Sequence, residues 1–126
     1  MKTNLDKYLG SPLSMVEISC IELFALDKNK EYFITHADGN GMINEGIKDR
    51  DTLIIEKCEC VNDGDTVAAW YDGKAYLKKY KKLSDGTIEL AYEDGSTESI
   101  IVPHDYKDFY ILGRLCVVFR KINYED

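Results

Sequence analysis

Four Asp-Gly pairs, Asp63-Gly64, Asp72-Gly73, Asp85-Gly86 and Asp94-Gly95, punctuate the second half of this chain at short intervals. Asp-Gly suits the positive-φ positions of a tight turn, so the runs between the pairs read as short strands joined antiparallel. Thr66 to Tyr71 and Lys74 to Tyr80 flank Asp72-Gly73 and give the strongest hairpin signal. Ile88 to Tyr92 and Ser99 to Val102 follow, and Phe109 to Ile122 alternates around Gly113 to close the sheet. Upstream, an aromatic strand from Glu31 to Thr35 and an apolar one from Thr52 to Ile55 flank a glycine-rich loop. This pattern predicts a mostly β fold of compact, twisted antiparallel sheets with one or two short helical turns.

The 126 residues suit one domain. Residues 1–15 are polar and broken by Gly10-Ser11-Pro12, which reads as a flexible arm, leaving residues 16–126 as the folded domain. A strand at Val16 to Ile18 and a short helix at Cys20 to Leu26, opened by a capping box from Ser19 to Glu22, are expected at its start. Sixteen basic against 23 acidic residues give a net charge of -7, which opposes docking on phosphate backbones, so no direct nucleic-acid binding is expected. No leader-like segment and no apolar run of the ~18 residues needed to span a bilayer occur. A soluble, cytoplasmic protein without membrane contact is expected. Cys20, Cys58, Cys60 and Cys116 show no Cys-x-x-Cys spacing and read as reduced thiols rather than metal ligands.

Loops placed on rigid strands carry chemistry, and the loop between His36 and Ile55 is the candidate here. It contains Gly39-Asn40-Gly41-Met42, then Gly46-Ile47, the turn Lys48-Asp49-Arg50-Asp51 and an apolar strand. This run resembles the nucleophile loop of the LexA/UmuD family of self-cleaving serine-lysine peptidases. That loop usually reads Gly-(polar)-Ser-Met with a Gly-Asp turn before the strand. In this chain Gly41 takes the serine position and Arg50 the turn glycine position. The resemblance extends from about Val16 to Ile122. With an arm this short before the matched region, no counterpart of the winged-helix domain of LexA is expected, and the resemblance implies UmuD as the nearer relative.

Serine-lysine hydrolysis needs a hydroxyl activated by a neutral amine, with backbone amides awaiting the oxyanion. In the family the lysine lies on the second strand of the hairpin after the loop, where this chain has Ala75-Tyr76-Leu77-Lys78-Lys79-Tyr80. Period two puts Tyr76, Lys78 and Tyr80 on one face and Ala75, Leu77 and Lys79 on the other, leaving open which lysine turns inward. The resemblance selects Lys78 as general base, the amides of Asn40 and Gly41 as the oxyanion site, and Leu9-Gly10 as the self-cleavage point. It implies no cofactor and no metal. It also implies a homodimer, through the apolar strand Val117 to Ile122, and as partners a RecA filament and an error-prone polymerase of the SOS response to DNA damage. Without its nucleophile the domain would be a pseudo-enzyme acting by interaction. The alternative is an active autoproteolytic peptidase whose serine at position 41 was replaced by glycine.

A lysine with nothing to activate gains nothing from burial, so, if the glycine at 41 is natural, Lys78 is expected to be exposed or paired with a carboxylate. Asp38, Glu45, Asp49 and Asp51 lack the alternation of a Ca²⁺ loop and are expected to be solvated turn residues. His36 and His104 read as surface histidines. Trp70, Tyr71, Tyr76 and Tyr80 read as cross-strand pairs of the hairpin.

Overall fold

A computed structural model describes residues 20–96 and 98–122. The expected cleavage point at Leu9-Gly10, the strand at Val16 to Ile18 and the cap at Ser19 lie outside the described residues. The chain divides into one unit ending at Lys30 and another beginning at Glu31. In the first, helix α1 spans Cys20–Leu23. It is shorter than expected because Ala25 turns to φ 53, a left-handed conformation that ends a helix. Asp27 then closes a turn, accepting from the amide of Asn29 at 2.8 Å. No described helix is long and apolar enough to cross a membrane.

The second unit is a seven-stranded antiparallel sheet. Its strands are β1 (Tyr32–His36), β2 (Thr52–Lys57), β3 (Thr66–Tyr71), β4 (Lys74–Lys82), β5 (Ile88–Ala91), β6 (Ser99–Val102) and β7 (Phe109–Phe119). Their spatial order is β1-β2-β7-β3-β4-β5-β6. The β3–β4 turn uses Asp72 at φ 51 and Gly73 at φ 86, the double positive φ for which Asp-Gly is suited. The long final strand ends at Phe119, three residues short of the expected Ile122.

Strand alternation feeds two apolar clusters. Val67 and Ala69 of β3 join Tyr80, Leu90 and Val102 in one, while Ala68 joins Ala37, Met42, Ile47, Leu53 and Ile55 in the other. Burial on both faces explains why Leu53, Ile54 and Ile55 run consecutively without a polar residue between them. Strand β7 serves both clusters by way of two bulges. Leu112 is skipped between the pairs Ala68–Gly113 and Ala69–Ile111, and Cys116 between Ile54–Val117 and Ile55–Leu115. Each added residue increases the local twist and shifts which side chains face inward. Beside the first bulge, a Cβ on Gly113 would lie 2.2 Å from the Glu56 carbonyl oxygen, so only glycine lets β2 and β7 approach there.

Candidate active site

The glycine loop is anchored at both ends. The Ala37 amide donates to Asp51 O and the Arg50 amide to Ala37 O, each at 2.8 Å, which carries the β1–β2 ladder into the loop's base. Met42 and Ile47 are buried as apolar pegs, and Gly46, at φ 81, caps the single 3-10 turn Ile43–Glu45. The Asp49 carboxylate accepts from Gly39 N at 2.6 Å, and Asn40 Oδ1 accepts from Asp49 N at 2.9 Å. From the far side, Glu93 N donates to Gly41 O and Asn44 N donates to Glu93 O, both at 2.7 Å. Gly41 is therefore held by its own carbonyl and by its bonded loop neighbours, without using its own amide. The amides of Asn40 and Gly41 donate to no acceptor among the described residues.

Strand β4 brings Lys78 to this loop. A Cβ built on Gly41 would lie 3.0 Å from Lys78 Nζ, so the two positions, far apart in the chain, face each other. Lys78 is only 8% exposed. Its ammonium donates to Leu77 O at 3.1 Å and sits 4.1 Å from the centroid of the Tyr92 ring, a cation–π contact. It has no ion pair with a carboxylate among the described residues. The expectation that Lys78 would be exposed or carboxylate-paired is thus corrected. Apolar walls, a backbone carbonyl and an aromatic face hold it inward instead. Burial pushes its pKa down; Asp94 pulls it back up and Lys74 lowers it further. Lys79, on the opposite face, pairs with Glu45 at the surface.

Gly41 and Lys78 open into a cleft of about 340 Å³, walled by Phe33, Ile47, Leu53, Leu77 and Leu112 and by the ring of Tyr92. Exposed His36 stands at its edge without a carboxylate partner among the described residues, and exposed His104 pairs with Asp105 away from it. Asp51 corrects a second expectation. It is 2% exposed rather than solvated. Arg120 grips both of its oxygens at 2.7 Å, Lys48 N donates to it at 2.8 Å, and these bonds hold its carboxyl at about 2 despite the opposing cost of burial. Arg120 also donates to Gly46 O, tying the residue after β7 to the glycine loop. Trp70 stacks on Tyr110 of β7 at 6.2 Å rather than across the β3–β4 hairpin, since its partner there is Ala75. Cys58, Cys60 and Cys116 are free thiols.

Tyr92 and Arg120 escaped the sequence reading. Tyr92 follows β5 in no recognisable motif. An arginine beyond an apolar strand carries no signal until the fold places Asp51 beside it.

The model of the peptidase S24-like family matches residues 3–116. Over 116 residues the chain is 34% identical to a LexA repressor of Clostridium botulinum, covering 89% of this chain and 55% of that protein. A LexA repressor of Petrotoga mobilis is 41% identical over 94 residues, 74% of this chain and 45% of that protein. One from Clostridium acetobutylicum is 32% identical over 118 residues, 94% of this chain and 50% of that protein. The chain spans about half the length of these relatives.

Proposed function

The chain belongs to the peptidase S24-like family, and on that premise we propose that it is a LexA/UmuD-like, SOS-type self-cleaving domain whose peptidase site lacks its nucleophile, leaving it to act by binding as a dimer. The observation that carries this reading is the 3.0 Å between a Cβ at Gly41 and Lys78 Nζ. A hydroxymethyl group there would reach the amine, which would take its proton as the oxygen attacked a peptide carbonyl. The amides of Asn40 and Gly41 would meet the oxyanion. With hydrogen at position 41 no acyl-enzyme forms, and the buried amine has no hydroxyl to activate. Dimerisation through Val117 to Ile122 is supported by the course of β7, which pairs with β3 only as far as Arg114, and by the exposure of Ile122. The partners we assign are a RecA filament and an error-prone polymerase, as the resemblance implies.

One feature favours the second reading, in which the site was built around a serine. Gly41 is not among the glycines with positive φ, so its backbone does not require glycine. The test is self-cleavage near Gly10, followed by intact-mass spectrometry at mildly alkaline pH. The chain as written should stay whole. Gly41→Ser should release the N-terminal peptide slowly, and adding Lys78→Met should abolish release. Cleavage by the Gly41 chain, or by Gly41→Ser without Lys78, would refute the assignment.

A further inference from the structure

The chain is strongly acidic, yet its cleft is lined by Lys74, Lys78 and His36 against one carboxylate, Asp38. We propose that the cleft is a receptor for the free C-terminal carboxylate of an extended peptide with an apolar last residue, held between Lys78 and the backbone amides of Asn40 and Gly41. The proposal rests on reading the site as a peptidase pocket without its nucleophile.

A buried ammonium with no carboxylate in contact, only Asp94 acting from farther off, is costly, and a ligand carboxylate would supply the contact charge. The amides of Asn40 and Gly41 have no acceptor among the described residues, and the loop that carries them, with Gly41 facing the amine, is already fixed by Asp49, Asn40 and Glu93. Glycine at 41 matters because a side chain there would stand 3.0 Å from Nζ, at the distance a carboxylate oxygen would take. A serine hydroxyl would compete for the same amine. Its absence leaves the amine and the amides to the ligand.

Two features point to a peptide rather than another apolar acid. Residues Lys74 to Lys78 of β4 pair with β3 on one side, and β5 takes the other side only from Lys79 onward. That open edge beside the cleft suits an added extended strand. Phe33, Ile47, Leu53 and Leu112 give an apolar wall for the last side chain.

The experiment is fluorescence anisotropy with fluorescein-labelled Ala-Ala-Leu, as the free acid and as the C-terminal amide. The acid should bind at least about tenfold more tightly, the scale of one lost charge-assisted hydrogen bond. Lys78→Met, near in volume, should erase the preference while circular dichroism stays unchanged. Gly41→Ala, whose Cβ crowds Nζ, should weaken the acid more than the amide and serves if Lys78→Met fails to fold. Equal binding of acid and amide, or no binding, would overturn the receptor. Cleavage by the Gly41→Ser chain without an acid preference would do so too, leaving the peptidase lineage standing. An acid preference without such cleavage would sustain the receptor and mark a site that has lost more than its nucleophile.

Discussion

Replacing Arg120 with Met removes the guanidinium that grips Asp51 and leaves a carboxylate only 2% exposed with a single backbone donor, Lys48 N. The Asp51 pKa falls from 3.8 to about 2 in the folded chain. At 1.36 kcal/mol per unit this corresponds to at most about 2 kcal/mol. Because the Arg120 side chain is 38% exposed, solvent screening reduces that to roughly 1–2 kcal/mol. Stranding a buried charge adds to the loss, so about 2–3 kcal/mol is expected at pH 7. The sign follows from the lowered pKa. The pair's contribution is complete above the ordinary carboxylate range and is lost as pH falls through about 2. In the variant, burial is opposed only by the Lys48 amide and the Lys48 charge, so the Asp51 carboxyl protonates at a higher pH than in the parent. At pH 3 the difference between the two proteins should shrink to about half its neutral value. Urea denaturation of both at pH 7 and pH 3 measures this. Equal losses at both values, or a loss below about 0.5 kcal/mol at pH 7, would refute the assignment of Asp51 as a buried, ion-paired carboxylate.

Other outcomes follow from the same geometry. Lys78→Met should raise the melting temperature at pH 7, since burial penalises the ammonium below its lowered pKa, and the gain should fade as pH approaches the ordinary lysine value of about 10.5; a variant less stable than the parent at pH 7 would contradict it. Arg50 holds φ 70 with its side chain almost fully exposed, so Arg50→Gly should stabilise by about 0.5–1 kcal/mol in denaturant titration. Gly113→Ala should cost roughly 3 kcal/mol or more, or prevent folding, because its Cβ would overlap the Glu56 carbonyl. An alanine tolerated there would mean that β2 and β7 do not approach as described.

The strand content was legible because turn chemistry is local. Asp72-Gly73 names its own backbone conformation, and the period-two runs on either side need only that turn to become a hairpin. At Arg50 it was the family resemblance, not local turn chemistry, that marked a position where the turn glycine is usual, and the structure has a left-handed residue there. Tertiary placement was not legible. Lys78 and Lys79 differ by one register step, and only the packing of Leu53, Ile55 and Tyr92 decides which is enclosed. Asp51 and Arg120 are 69 residues apart, so no spacing rule joins them. The bulges at Leu112 and Cys116 were hidden because an extra residue in a strand leaves the hydrophobic pattern nearly unchanged.

Gly41 and Lys78 face each other across one cleft. Gly41→Cys puts a thiol there, and its alkylation by iodoacetamide across pH, followed by peptide mapping to separate it from the native cysteines, reads the amine beside it. The geometry predicts a reactivity profile that moves to higher pH when Lys78→Met is added. An introduced thiol that titrates identically with and without Lys78 would contradict it.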